Sequence, residues 1–317
     1  MLRQIIVVLL GNVDSGKTQL LDTIRNTTIV ESEPGKITQS IGCTSVPIDT
    51  IKKISGHLLK ALKLDIKLPG ILFIDSPGHA AFTNLRKRGG NLADIAILMI
   101  GVNEGVKVQT VECIDILKQY KTPFIVALNK IDLLPGWNSN PKISLLENIQ
   151  KQNESTMLLL EKKLYEVVGK LSELNFNSER FDRVEDYTKQ IAIVPISAKA
   201  SEGLPELLMV MVGLSQKFLE ENLKVNIQGN AKGTILEIKE EKGLGTTIDV
   251  IIYDGSLKQN DTIVIGSLNE PVTTKVKALF EPIPLTEMRD KKAKFKAVKE
   301  VRAASGVKIS APELDKV

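Results

Sequence analysis

The run Gly11-Asn12-Val13-Asp14-Ser15-Gly16-Lys17-Thr18 spells G-x-x-x-x-G-K-T and follows directly on the apolar stretch Ile5 to Leu10. A strand that enters a glycine-bearing turn and then opens a helix aims several backbone N–H groups at one point. The helix N-terminus adds a positive field there, so the turn is built to hold phosphate. Lys17 can reach the outer phosphates of a nucleoside triphosphate, and the Thr18 hydroxyl can ligate Mg²⁺. Asn12, Val13, Asp14, Ser15, Gly16, Lys17, Thr18 and Gln19 form the expected phosphate-binding set. This motif alone does not choose between adenine and guanine.

Three later clusters make that choice. The buried strand Ile71 to Ile74 runs into Asp75-Ser76-Pro77-Gly78-His79. In a D-x-P-G turn the acid holds Mg²⁺ through water and the glycine N–H reports the terminal phosphate, which assigns those tasks to Asp75 and Gly78. The strand Pro123 to Leu128 ends in Asn129-Lys130-Ile131-Asp132. The Asp132 carboxylate can accept from guanine N1–H and the N2 amino group together, a pair that adenine lacks. Asn129 would pin the neighbouring loops, and the Lys130 stem would lie over the base. Ile191 to Pro195 then leads to Ser197-Ala198-Lys199, a backbone clamp for guanine O6. Four motifs in order, each at the carboxyl end of a strand, describe one site along one edge of an α/β sheet. The chemistry they imply is hydrolysis of GTP to GDP by water, with charge neutralised on the phosphates and no protein nucleophile. Of the two histidines, His79 follows Asp75 on the phosphate-sensing turn and is the candidate to position the water. His57 has no acidic neighbour in sequence and reads as a plain surface or core histidine.

The elements that must carry these residues follow from the patterning. With 317 residues the chain can form one large domain and a smaller one. It is 43% hydrophobic and 25% charged, with a net charge of +4 that does not by itself imply nucleic acid. Aromatics are 4%, too few for a base-stacking surface. Two cysteines, Cys43 and Cys113, make neither a disulfide framework nor a metal cluster and suggest a reducing compartment. No signal peptide and no apolar run long enough to span a bilayer is present, so a cytoplasmic, membrane-free monomer is expected.

Residues 1–220 read as a P-loop GTPase domain with a mostly parallel sheet. Within it, Glu31 to Thr44 reads as a loop, Ser45 to Ile54 as an alternating strand, and Ile66 to Pro69 as a further short strand. Ala81 to Leu85 suggests a short helix, and Arg86-Lys87-Arg88-Gly89 a basic turn. Asp132 and Ser197 lie far apart in sequence, which implies an insertion over about 137–190. One long helix is expected there, with apolar positions Leu158, Leu159, Leu164, Val167, Val168 and Leu171, packed on the domain's side.

A linker over 221–229 precedes short β-branched runs over 230–317, read as a small antiparallel β-barrel. Asp254-Gly255 reads as its hairpin turn and Val272 to Leu279 as one strand. From Arg289 to Lys308 there are eight basic residues against two acidic, a solvated face or a surface for nucleic-acid phosphates. A barrel ending at Val317 should want a further strand, so the expectation is of a C-terminally incomplete second domain.

The chain resembles translation initiation factor 2/5B, in the archaeal and eukaryotic branch usually called initiation factor 5B. The residues that carry the resemblance are Gly11 to Thr18, Ile37-Thr38-Gln39-Ser40-Ile41-Gly42-Cys43-Thr44, Asp75 to Gly89, and Ala127 to Asp132 with Trp137 after it. Ala231 to Glu237 and Gly243 to Val250 resemble the start of that factor's second domain. The resemblance implies a ribosome-dependent GTPase that joins the large subunit to a small subunit carrying initiator tRNA. It implies Mg²⁺ on Thr18 and Thr44, with Asp75 acting through water, and a Na⁺ or K⁺ ion on Asp14. It also implies large-subunit rRNA acting on His79, and contact with initiator tRNA and initiation factor 1A through further domains. Asn12 and Ser15 depart from the family's usual residues, but at variable positions of the turn. Two alternatives stay open at this level: another translational GTPase of elongation or selenocysteine type, and a GTP-dependent initiator-tRNA-binding module.

Overall fold

The computed structural model describes residues 2–26, 42–61, 66–75, 92–218, 223, 229–241, 243–267, 270–286, 288 and 295–317. The sheet that carries the motifs is assembled from near-continuous apolar runs. Ile5–Gly11 (β1), Gly70–Asp75 (β3), Ile95–Gly101 (β4) and Phe124–Asn129 (β5) are buried at every position. Such strands can only sit in the middle of a sheet covered on both faces. With Gly42–Pro47 (β2), Ser178–Arg180 (β6) and Ile191–Pro195 (β7), the order across the sheet is β2, β3, β1, β4, β5, β7, β6. All neighbours pair in parallel except β2, which runs antiparallel to β3. The parallel strands therefore deliver Gly11, Asp75, Asn129 and Ser197 to the same edge.

The helices are Lys17–Asn26 (α1), Ile48–Ala61 (α2), Val108–Tyr120 (α3), Leu145–Lys151 (α4), Glu154–Glu173 (α5) and Leu204–Phe218 (α6). Here α2 corrects the expected strand from Ser45 to Ile54. Only Gly42–Pro47 is strand, so Gly42, Cys43 and Thr44 leave the expected loop and join the sheet. The alternation of Val46, Ile48 and Thr50 is real but short, whereas Ile51, Ser55 and Leu59 recur every four residues and are all buried. The longer period wins, and α2 packs on α6 with His57 on its exposed face. Residues 66–69 form no strand. The remainder of the loop, 31–41, and the short helix Ala81 to Leu85 lie outside the described residues.

The insertion is more than one helix. Ser144 caps α4 by accepting from the Glu147 N–H, and Asn153 caps α5 by accepting from Thr156 N at 2.8 Å. On α5, Leu160, Leu164, Val167 and Leu171 are buried, while Leu158 is 64% exposed. The chain then returns as β6, which adds an edge strand beside β7. Arg180 of β6 bonds Glu161 of α5 at 2.6 Å and so ties strand to helix. Three residues of strand carry too little pattern to be seen in sequence.

Residues 230–317 form an antiparallel sheet of Phe295–Val298 (β14), Ala278–Pro282 (β13), Ser305–Ser310 (β16), Gly245–Asp254 (β9) and Lys232–Glu241 (β8), in that order. Ser256–Lys258 (β10) pairs with Glu300–Arg302 (β15), and Thr262–Ile265 (β11) with Val272–Lys275 (β12). The expected single strand from Val272 to Leu279 is thus two, broken at Val276-Lys277, whose N–H groups bond Asp261 and Ser310 instead of one ladder. Asp254-Gly255 is likewise no hairpin. Gly255 has φ +68°, and a Cβ there would strike the Asn230 carbonyl, so the turn sends the chain into a different sheet. Lys308 is 4% exposed, ion-paired with Glu241 and 4.3 Å from the centre of the Phe295 ring. It is withdrawn from the basic run proposed to meet phosphates; Arg289 to Lys294 lie outside the described residues. Leu223, within the expected linker, is buried and accepts from Arg3 N at 3.0 Å. Among the described residues no helix is long and apolar enough to cross a membrane.

The packing of α5 gives a stability test with an internal control. Leu164→Ala should lower the unfolding free energy by about 2–5 kcal/mol, because it empties a fully buried site. Leu158→Ala should change it by no more than about 0.5 kcal/mol. Urea unfolding of both variants separates the two faces; equal effects would contradict the packing.

Candidate functional site

The phosphate turn is shaped by three positive backbone angles, at Gly11 (φ +146°), Asp14 (φ +62°) and Gly16 (φ +96°). A Cβ on Gly16 would fall on the side-chain nitrogen of Asn129, and one on Gly11 would strike the carbonyl oxygen of Met99. Both positions therefore require glycine for reasons of space as well as conformation. Ser15 closes the turn, its hydroxyl donating to Asn12 O at 2.8 Å. The Lys17 ammonium is held at the turn by the carbonyls of Gly11 (3.1 Å) and Asn12 (2.7 Å). Val13 N donates to the Gln109 side chain at 3.3 Å. Gln19 is exposed and bonds Thr23 at 3.4 Å.

Thr18 and Asp75 meet as expected, the hydroxyl donating to the carboxylate at 3.2 Å, with Asp75 1% exposed. A hydroxyl and a buried carboxylate at a helix N-terminus are hard oxygen donors of the kind Mg²⁺ takes together with substrate phosphates. Thr44 does not join them. Its hydroxyl accepts from Arg25 at 2.6 Å, and Arg25 stands seven positions beyond Thr18, about 10 Å along a helix. The strand register pairs Thr44 with Phe73, two positions before Asp75. Asp14 is exposed, and among the described residues no group of three or more His, Cys, Asp or Glu is placed to hold a metal. Gly78, His79 and the basic turn Arg86-Lys87-Arg88 lie outside the described residues.

The residues expected to read the base come together from β5, the turn after it and the turn after β7. Asn129 is buried and spans the site: its Nδ2 donates to Ser15 O at 2.8 Å and its Oδ1 accepts from Ala198 N at 2.9 Å. Ser197 donates to Asp132 Oδ1 at 2.6 Å and accepts from Ala200 N at 3.0 Å. Thr23 of α1 reaches across to Ala198 O at 2.6 Å. Lys130, in left-handed backbone at φ +69°, pairs with Glu104 at 2.6 Å, and Lys199 is exposed. Glu104, Gln109 and Thr23 are site residues that motif reading missed. None lies within the motifs themselves, and only the fold brings them near.

Residues 2–217 match the family model described as Elongation factor Tu GTP binding domain. The chain is 56% identical over 314 residues to "Probable translation initiation factor IF-2" of Thermococcus sibiricus, covering 99% of this chain and 53% of that protein. It is 54% identical to the protein of the same name from Methanopyrus kandleri, covering 99% and 52%. The chain thus spans about half the length of these curated relatives. Among solved structures, "Crystal structure of GDP-bound aIF5B from Aeropyrum pernix" aligns at TM-score 0.88 and 49% identity, over 100% of this chain and 53% of that one. A bacterial selenocysteine-specific elongation factor aligns at TM-score 0.63 and 20% identity, over 99% and 43%, and shares the fold.

Two substitutions separate strong from weak supports of the site. Gly16→Ala should lower GDP affinity by about 100-fold or more, since the methyl group displaces Asn129 and strands two buried hydrogen bonds, each costing about 1–3 kcal/mol. Glu104→Gln should raise the GDP dissociation rate no more than about fivefold, because each partner of the Lys130 pair is 27% exposed and such pairs contribute about 0–1 kcal/mol. Stopped-flow release of a fluorescent GDP analogue reads both. A larger effect at Glu104 than at Gly16 would reverse this ranking.

Proposed function

The chain belongs to the archaeal/eukaryotic translation initiation factor IF-2/5B family, and from its site we propose that it is a GTPase of translation initiation. It binds GTP and GDP through Asn12 to Gln19, Gly78, Asn129, Lys130, Asp132 and Ser197 to Lys199. It hydrolyses GTP to GDP and phosphate when the ribosome stimulates it, and so serves the joining of the ribosomal subunits. The observation that carries this reading is the pair Asp132–Ser197, 2.6 Å apart and held beside the phosphate turn by Asn129. A carboxylate fixed at that point suits the two adjacent donors of guanine, N1–H and the N2 amino group.

Thr18 and Asp75 would hold Mg²⁺, which supplies neutralising charge between the phosphates. Asp14, with one exposed carboxylate, is the residue for a Na⁺ or K⁺ ion. Lys17 binds the outer phosphates with the turn's backbone N–H groups, Gly78 senses the terminal one, and His79 orients the attacking water. The partners in this reading are the ribosome, with Arg86-Lys87-Arg88 on large-subunit rRNA phosphates, and initiator tRNA and initiation factor 1A through the whole factor. The antiparallel strands of 230–317 form a second, barrel-type domain joined to the G domain of 1–220 through 221–229. The 49% identity to a GDP-bound factor of this family, against 20% to a selenocysteine-type factor, favours initiation over the elongation alternative.

Base reading is tested by Asp132→Asn, which should cost about 2–5 kcal/mol of GTP binding and let xanthosine triphosphate compete. Unchanged discrimination between the two nucleotides would remove Asp132 as the reader. Catalysis is tested by His79→Ala. GTP affinity should stay near the parent's, while hydrolysis stimulated by both ribosomal subunits falls by about 10²–10⁴-fold. Single-turnover assays beside filter binding measure both terms, and stimulated turnover equal to the parent's would exclude His79.

A further inference from the structure

Glu202 lies in the turn between Ser197-Ala198-Lys199 and α6, and it is 2% exposed. Removing a carboxylate from water is costly, and an apolar side chain would pack at such a position without that cost. What a carboxylate adds is two directional acceptors. Both are taken by neutral donors of the insertion: Trp137 Nε1 donates to Oε2 at 3.0 Å, and Asn148 Nδ2 donates to Oε1. One turn further on, Glu206 accepts the Leu145 N–H of α4 at 2.8 Å. Burial, reinforced by the Glu202 charge, holds the Glu206 carboxyl above the usual range. The insertion is therefore attached to the rest of the domain at the start of α6 through buried carboxylates.

The backbone of Glu202 is bonded to Ser197. Its N–H donates to Ser197 O at 3.1 Å and its carbonyl accepts from Ser197 N at 2.9 Å, a two-way backbone pair that fixes Ser197. Ser197 in turn donates its hydroxyl to Asp132. A continuous set of hydrogen bonds runs from Trp137 and Asn148 through Glu202 and Ser197 to the carboxylate assigned to guanine. We propose that the helical insertion braces the guanine pocket, with Glu202 as the positioning residue that sets Asp132 for the N2 amino group. This rests on the reading of Asp132 as the base-reading residue.

The test is equilibrium titration of the full chain with GDP and with inosine diphosphate, which differs only in lacking the N2 amino group. Glu202→Gln keeps the shape but places an amide N–H₂ against Trp137 or Asn148, whichever way it turns. The preference for GDP over inosine diphosphate should fall about 5-fold, the size of one hydrogen bond, with inosine diphosphate affinity near the parent's. Ser197→Ala should give the same fall, and the double variant no more than either alone, because both act on one link. Trp137→Phe keeps an aromatic side chain but removes the indole N–H, so it should give a smaller fall in the same ratio. It also decides the matter if Glu202→Gln does not fold. An unchanged ratio in the folded variants, whatever their thermal stability, overturns the proposal and leaves the base assignment standing. A parent with no preference for GDP overturns the base assignment and this proposal together.

Discussion

The site depends on one side chain being in one place. Asn129 is buried at the end of β5 and has a donor and an acceptor on the same planar amide. The donor holds the phosphate turn at Ser15, and the acceptor holds the base turn at Ala198. Separation of phosphate and base pockets is thereby set by the width of an amide and two hydrogen bonds. Aspartate would lose the donor, and leucine would strand both backbone groups in a buried setting. An unmade hydrogen bond there costs about 1–3 kcal/mol, against about 1 kcal/mol gained when it forms. Gly16 enters the same constraint from below, because no side chain fits between the turn and the amide.

That geometry is possible because the sheet is parallel where it matters. Strands β1, β3, β5 and β7 all end at one edge, so Gly11, Asp75, Asn129 and Ser197 converge although their positions span most of the first two hundred residues. Helix α1 then crosses behind them, its N-terminus at the glycine turn and Thr23 on the turn after β7. The α3 side contributes Gln109 to the phosphate turn, and the loop after β4 gives Glu104 to Lys130. The site is braced from neighbouring elements on either side of its motifs.

The motifs themselves were legible in sequence because each uses special residues: glycine where φ is positive, at Gly11 and Gly16, and asparagine where one amide ties two turns, at Asn129. The buried strands were legible because a run such as Ile5 to Leu10 has no polar face to hide. Short-range periodicity failed where two patterns overlap, as at Ile48 to Ile54, where a few alternating residues masked a helical repeat. It failed again for Ser178–Arg180, whose three residues gain strand character only from β7 beside them. The partner of Thr44 was hidden in the sequence for a related reason. A threonine near the end of a polar stretch offers a hydroxyl, but strand register decides where that hydroxyl points, and here it faces Arg25. Lys308 shows the same limit, since a basic run in sequence does not reveal which lysine folds inward onto a ring and a glutamate.

The placement of β2 binds the two parts of the chain together. It is the antiparallel edge of the main sheet, and an edge strand presents unpaired backbone groups. Here those groups are met by the second part: Leu285 N donates to Ser45 O at 2.9 Å and Met288 N to Cys43 O at 3.2 Å. Side chains close the same seam. The Cys43 sulfur lies 3.5 Å from that of Met288, and a Cβ on Gly306 of β16 would collide with it. The strand that follows residues 31–41 is therefore bonded to β3 on one side and to residues 285 and 288 on the other. Any shift of β2 along β3 must carry that stretch of the second part with it or break the backbone bonds that cover the edge. Since β3 ends in Asp75, the phosphate site and the antiparallel sheet are separated by a single pair of strands.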